Sequence, residues 1–311
     1  MKVLIVGLGS IARKHISALR ALEPELEITA LRSSAGYEEV EGIKSILKLP
    51  EPSSLQSYDF AIISNPTSLH AATIENLLES GLPLFIEKPL FDSLQHDELV
   101  ERVVEKGTLT YIGCNLRFVD SLGFLKAYLS RHKERRINEV NSYCGSYMPE
   151  WRKGADYRKG YSARRELGGG VHLDLIHELD YICWLFGFPE SSRGIWRNVS
   201  SLGIESYDYA NYQLLYPGFT ASVVLNYYRR VYKRTLEIVF EDDTWTLDFK
   251  TNKITDGKGE VVYEGKTGIP ESYLRQMEYF LSHLKKNEKS ENDISNAYQT
   301  LGIALKGELA K

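Results

Sequence analysis

Residues 168–187 read GGGVHLDLIHELDYICWLFG. The apolar residues Leu173, Ile176, Leu179, Ile182, Trp184, Leu185 and Phe186 predict a helix that goes into a core. Set among them are His172, Asp174, His177, Glu178 and Asp180, and charge in a core is costly unless it is paired. Histidine, with an ordinary pKa near ~6.5, can take and return a proton around neutrality. On a helix Asp174 and His177 stand about 60° apart around the axis, which puts an acid beside a base on one face. His177 and Asp180 make a second such pair, in which Asp180 orients the ring or caps a neighbouring segment. His172 points about 160° away from Asp174 and reads as a packed or solvent-facing ring. No further ligand joins Asp174, His177 and Asp180, so no metal is expected there.

A second candidate is Lys88 in Glu87-Lys88-Pro89, held between a strand end and a proline that restricts its backbone. A cation at such a point can stabilise an alkoxide, or shuttle a proton if desolvation lowers its pKa. An imidazole within ~3 Å of a hydroxyl, with a cation beside it, is what oxidation of a carbinol or reduction of its ketone asks of a protein.

The elements that must position these groups are readable from residue 2. Lys2–Val6 (KVLIV) is a short apolar run, as in a strand buried on both faces. Gly7-Leu8-Gly9-Ser10-Ile11-Ala12 follows, then a helical pattern closed by Glu23-Pro24, then a strand at Leu26–Arg32. Strand, GxGxxA, helix and strand form a dinucleotide-binding unit. Gly7 makes the turn, Gly9 admits the pyrophosphate, Ala12 lets helix and strand pack, and the anion sits at the helix N-terminus beside Ser10 and Ile11. The second strand ends in Arg32-Ser33-Ser34, with no acid until Glu38. A guanidinium with two hydroxyls suits a 2′-phosphate, so NADP is expected over NAD.

The α/β rhythm continues with a strand at 58–64, a helix at 69–81, a strand at 83–86, a helix at 93–107 and a strand at 108–113. Loops beyond the carboxyl ends of parallel strands face the cofactor crevice, which groups Asn65, Lys88 and Asn115 around one site. Asn65, Pro66, His70, Glu87 and Lys88 are expected to line the dinucleotide, and Asn115 and Arg117 the substrate.

Beyond residue 119 the pattern changes. A helix at 120–132 and a strand at 138–148 lead to a polar, aromatic stretch that reads as a loop over the site. Its Trp151, Tyr157, Arg158, Tyr161 and Arg164 can stack on a sugar ring and bond hydroxyls or phosphates, unless they simply decorate a surface loop. The arginines also suit an anionic substrate. Segments 193–200, 207–216, 219–228, 234–241 and 244–249 predict an antiparallel sheet of five or six strands, and 270–285 and 291–308 predict closing helices. Tyr207, Tyr209, Asn211 and Gln213 give one sheet face a character that fits either a dimer surface or ordinary packing.

At 311 residues, two domains are expected, 1–118 for the dinucleotide and 119–311 for substrate and oligomerisation. A net charge of −4 without a block of one sign argues against nucleic acid; the basic run 131–136 (RHKERR) reads as a solvated helix end or loop. The three scattered cysteines, Cys114, Cys144 and Cys183, fit a reduced, cytoplasmic protein, and no stretch is apolar enough for a membrane helix.

GLGSIA, SNPTSLH, FIEKPL, CNLRF, DYRKGYSA (156–163) and GGGVHLDLIHELDYICWLFG together resemble the Gfo/Idh/MocA family of NAD(P)-dependent oxidoreductases. The resemblance runs along nearly the whole chain, with its motifs in order. It implies an α/β protein: an N-terminal Rossmann dinucleotide-binding domain plus a C-terminal α/β domain with a large open, mostly antiparallel sheet used for homo-oligomerisation as dimer or tetramer. It further implies hydride exchange between NADP(H) and a hydroxyl or ketone of a sugar, cyclitol or nucleotide sugar. Lys88 corresponds to the lysine of the family's EKP motif, and Asp174 and His177 to the acid and histidine of its second motif. The common pattern places that histidine four residues after the aspartate, whereas here it follows at three. On this footing His177 is the expected acid/base, Lys88 polarises the oxygen, and Asp174 orients substrate or His177. Two alternatives stand beside it: a family enzyme with transient internal redox during elimination or glycoside hydrolysis, and a non-catalytic NADPH-binding sensor.

Overall fold

The computed structural model describes residues 1–35, 39–152, 154 and 156–306. The chain divides into two compact units: Met1–Cys114 with Tyr273–Gln299, and Asn115–Ser272 with the segment from Thr300. Residues 273–299, which the sequence reading assigns to the second domain, thus belong with the first unit.

Apolar runs too short for helices build the first unit's sheet. Its strands are β1 (Lys2–Val6), β2 (Glu27–Leu31), β3 (Ile43–Ile46), β4 (Phe60–Ile63), β5 (Leu84–Glu87) and β6 (Thr110–Gly113). All pair in parallel, in the order β3-β2-β1-β4-β5-β6. Val3, Leu4 and Ile5 of β1 and all of β4 have no exposed surface, as strands covered on both faces require. The helices are α1 (Ser10–Leu22), the short α2 (Pro52–Leu55), α3 (His70–Leu78) and α4 (Asp97–Glu105). Helix α4 starts later than the apolar pattern predicts, with Asp97 and Glu98 in its first turn facing the helix dipole. The strand β3 and helix α2 had no counterpart in the sequence reading, being four residues each with few apolar positions.

The second unit carries α5 (Asp120–Arg131), β7 (Ile137–Tyr147), α6 (Val171–Asp174), α7 (His177–Phe186), β8 (Ser191–Arg197), β9 (Tyr209–Leu215), β10 (Thr220–Asn226), β11 (Tyr228–Phe240), β12 (Thr244–Asp248), β13 (Lys253–Thr255) and β14 (Val261–Glu264). Eight strands, rather than five or six, form one sheet in the order β14-β13-β12-β11-β7-β10-β9-β8. Every pair is antiparallel except β7 with β10. Strands β13 and β14 escape the pattern because each is only three or four residues long. The separate segments expected at 219–228 and 234–241 become β10 and the longer β11, whose register shifts between Tyr228 and Lys233. Ala210, Tyr212 and Leu214 of β9 point inward while Gln213 and Leu215 are exposed. Two long helices, α8 (Ile269–Lys286) and α9 (Ile294–Leu305), follow β14.

The single helix expected over 168–187 is two. Leu175, at φ −100° and ψ 28°, ends α6, and Ile176 leads into α7. Asp174 therefore closes one helix and His177 opens the next, so the 60° relation of a continuous helix does not describe them.

Candidate active site

Residues expected to do chemistry fall in both units. In the first, the turn after β1 is a close fit to the loop after β4. Gly7 adopts φ +85°, and a Cβ there would lie 2.8 Å from the Asn65 Cα and N. Ser64 Oγ donates to the carbonyls of Gly7 at 2.9 Å and Val6 at 3.2 Å, closing the loop onto the turn. Gly9 caps α1 with no side chain, nothing lies within 4 Å of where its Cβ would stand, and the first turn holds no acid. A helix of thirteen residues with its N–H groups open at Ser10 and Ile11 fits a pyrophosphate. Beyond β2, the Arg32 amide donates to the Ile46 carbonyl at 2.8 Å, the Arg32 side chain is half-buried, and Ser33 and Ser34 are exposed. Glu38, the first acid after that tip, lies outside the described residues.

Three residues expected at the dinucleotide have other partners. His70 is buried, with Nε2 3.0 Å from the Asn65 carbonyl and Nδ1 3.1 Å from that of Leu90. Burial holds its pKa below the usual histidine value, and the ring, set between these two carbonyls, braces the Asn65 loop. The Asn65 amide itself donates to Thr73 Oγ1 at 2.9 Å. Glu87 is buried at the end of β5 and sits 2.5 Å from Nε2 of His15. Pro66 is exposed and Lys88 half-buried, directly after that strand.

In the second unit the glycines earn their place by close packing. Gly170, at φ +126°, would drive a Cβ into the His172 ring at 2.7 Å, and a Cβ on Gly169 would collide with the Tyr161 carbonyl. They bring the chain into α6, which ends at Asp174. Asp174 Oδ2 accepts hydrogen bonds from Ser162 Oγ at 2.7 Å and from the Tyr227 hydroxyl at 3.0 Å. Tyr227 is fully buried, and burial with the Asp174 carboxylate beside it pushes its phenol well above the usual tyrosine range. It therefore stays a donor. Trp151 stands edge-on to Tyr227 at 5.2 Å and is 41% exposed, a surface for stacking beside the carboxylate. Ser162 and Tyr227 were missed in the sequence, since Tyr227 lies 53 residues from Asp174 and reads there only as strand.

His177 opens α7 and is 9% exposed. The acids after it are paired. Glu178 has no exposed surface; its Oε1 accepts from Arg234 Nε at 2.9 Å and Nη2, and its Oε2 from the Tyr181 hydroxyl at 2.8 Å. Asp180 takes both arms of Arg117, Nε to Oδ2 at 2.9 Å and Nη2 to Oδ1 at 2.7 Å. Arg117 is thus a buried partner of α7, matched to Asp180. Asn115 is likewise buried and donates to Ser272 Oγ at 2.8 Å. His172 packs between Trp196 and Tyr207, and burial, with Arg165 nearby, lowers its pKa to about 4.

The segment expected as a loop is a chain of short turns, Tyr157–Lys159, Tyr161–Ala163 and Arg165–Leu167. Tyr157 and Arg158 both donate to the Leu202 carbonyl, Tyr161 to that of Gly168, and Arg164 pairs with Glu166. Tyr157 and Arg158 thus tie the segment to the turn at Leu202, while Tyr161 and Arg164 bond within or next to it. Among the described residues, no group of three His, Cys, Asp or Glu could hold a metal, and no helix is long and apolar enough to cross a membrane.

A parallel sheet in this strand order, with an open helix N-terminus after its first strand, defines an NAD(P)-binding Rossmann fold. The chain belongs to the Gfo/Idh/MocA family: the oxidoreductase family with NAD-binding Rossmann fold matches residues 1–114, and the family's C-terminal domain matches residues 130–246. The scyllo-inositol 2-dehydrogenase (NADP(+)) IolW of Bacillus subtilis is 26% identical over 200 residues, 61% of this chain and 53% of its own. The 2,7-anhydro-N-acetylneuraminate hydratase of Mediterraneibacter gnavus is 28% identical over 152 residues, 48% of this chain and 39% of its own. The chain thus spans about half, or less, of the length of the curated relatives it matches. Among solved structures, UDP-N-acetylglucosamine 3-dehydrogenase GnnA from Acidithiobacillus ferrooxidans shares the fold, with a TM-score of 0.77 and 20% identity over 99% of this chain and 96% of that one.

Proposed function

We propose that this protein exchanges a hydride between NADP(H) and a hydroxyl or ketone of a sugar, cyclitol or nucleotide sugar. The observation that carries the reading is the arrangement at the carboxyl ends of the first sheet. There the open N-terminus of α1 follows β1, and Lys88 follows β5 two strands away. Bound at that turn, the nicotinamide cofactor supplies the hydride acceptor or donor. Lys88 Nζ donates to the reacting oxygen and disperses its developing negative charge. The His177 imidazole takes the proton from that hydroxyl oxygen in oxidation and returns it in reduction. Asp174, fixed by Ser162 and Tyr227, accepts from a neighbouring substrate hydroxyl, and Trp151 stacks on the ring. The preference for NADP rests on Arg32-Ser33-Ser34 beyond β2. A homo-oligomer is inferred from the sheet, where Leu215, Val231 and Tyr232 are exposed; light scattering reads its size.

The test is kinetic. NADPH and NADH are titrated by fluorescence, and a panel of inositols, keto sugars and nucleotide sugars is followed at the reduced-nicotinamide band. NADPH is expected to bind more tightly, and Lys88→Ala and His177→Ala to lower turnover about 10²- to 10⁴-fold with NADPH binding retained. Tighter NADH binding removes the role of Arg32, and full turnover in both variants removes the assignments. The likeness to a hydratase favours one second reading, a cycle in which the cofactor is reduced and reoxidised within one turnover while water is added or lost. Substrate conversion with no net change at that band distinguishes it.

A further inference from the structure

One buried histidine–glutamate pair in the first unit has no part in the chemistry above. His15 lies in the middle of α1 with no exposed surface, its Nε2 2.5 Å from Glu87 Oε1. Its ring meets the edges of Phe85 at 4.7 Å and Tyr273 at 6.2 Å, and among the described residues its Nδ1 has no hydrogen-bond partner. Glu87 is the last residue of β5, and room for its carboxyl depends on Gly113 in the facing strand, where a Cβ would stand 2.9 Å from Oε1. A leucine pair would fill this volume without the desolvation that two polar groups incur. What a leucine pair would lack is direction. His15 belongs to the helix whose first turn offers the phosphate site, and Glu87 is bonded directly to Lys88.

We propose that His15 and Glu87 are positioning residues: their hydrogen bond ties the phosphate-binding helix to the end of β5 and thereby sets Lys88 relative to the bound dinucleotide. The consequence for turnover rests on the proposed function; the consequence for Lys88 itself does not. A misplacement of the lysine by about 1 Å is enough to lower turnover about a hundredfold, while the phosphate contacts at Gly9 and Ser10 are untouched.

The experiment uses the full chain with Glu87→Gln, His15→Gln, His15→Leu and the double variant His15→Leu with Glu87→Leu, which leaves no buried polar group unpaired. Lysines are dimethylated with ¹³C-formaldehyde, and the Lys88 signal is assigned by its loss in Lys88→Arg. In the double variant the thermal midpoint and the NADPH affinity are expected to hold, the Lys88 signal to shift, and kcat to fall about ten- to a hundredfold with KM unchanged. His15→Gln, whose amide can still donate to Glu87, should recover part of what His15→Leu loses. An unshifted Lys88 signal with wild-type kcat in a folded double variant overturns the proposal. If the unsubstituted chain turns over no substrate, the proposed function fails, and the Lys88 signal still decides the role of the pair.

Discussion

Removing the guanidinium of Arg117 is the sharpest way to separate what the sequence implies from what the fold does. Arg117→Met keeps much of the volume but takes two N–H donors, at 2.9 and 2.7 Å, from Asp180. The side chains of the pair are 6% and 3% exposed, so water cannot replace them. A buried carboxylate left without its partner costs about 3–5 kcal/mol. At about 2–4 °C per kcal/mol for a unit of this size, the second unit's melting transition should fall by about 6–20 °C. The assay is calorimetry of a double-mutant cycle: wild type, Arg117→Met, Asp180→Leu, and both together. The double variant should recover most of the loss, because an apolar pair of similar volume satisfies the same cavity without desolvated charge. A substrate ligand behaves differently: its removal raises KM and leaves the melting point alone. Wild-type melting with raised KM in Arg117→Met, or singles whose losses simply add, would refute the structural role.

Tyr227→Phe removes one donor from Asp174 and leaves Ser162 in place, so kcat should drop about tenfold at unchanged NADPH affinity, with about 1.5–3 kcal/mol of stability lost; stopped-flow kinetics and denaturant melts check both. His172 gives a pH signature. Its folded pKa of about 4 lies below the usual ~6.5, so between those values the unfolded chain binds the extra proton, and stability rises with pH through that window. Above the window the group contributes nothing; below it folding is opposed by about 3 kcal/mol. His172→Phe should flatten that slope, and an unchanged slope in urea melts at pH 4.5 and 7 would be against it.

The N-terminal unit was legible because its signals are local. KVLIV, the glycine turn and α1 lie within twenty-two residues, and a parallel sheet buried on both faces announces each strand as an apolar run. What stayed hidden there is which side chains the fold itself occupies: His70 and Glu87 stand at strand and helix ends, and their partners are the carbonyls of Leu90 and Asn65 and the ring of His15. In the second unit the deciding contacts are distant. Arg117 and Asp180 are 63 residues apart, Glu178 and Arg234 are 56, and no periodicity reports such pairs. The break at Leu175 was hidden for a different reason, since neither proline nor glycine marks it. The three-residue spacing of Asp174 and His177 is thus a relation between two helix ends, not between neighbours on one face.

That division explains the density of charge in GGGVHLDLIHELDYICWLFG. A helix of ten residues packed only by leucine and isoleucine can shift or roll with little change in buried area, because apolar contact has no direction. Glu178 fixes α7 to β11 through Arg234, and Asp180 fixes it to the turn at 115–118 through Arg117. A guanidinium donating through two N–H groups restricts its carboxylate strongly, whether to both oxygens, as Arg117 does to Asp180, or to one, as Arg234 does to Glu178. With one such contact a single residue after His177 and the other three after it, the first turn of α7 is held at two points, and the imidazole at its start inherits that placement. The ion pairs are therefore better understood as aim than as stability, which is why their apolar replacements should melt like the wild type and yet turn over more slowly.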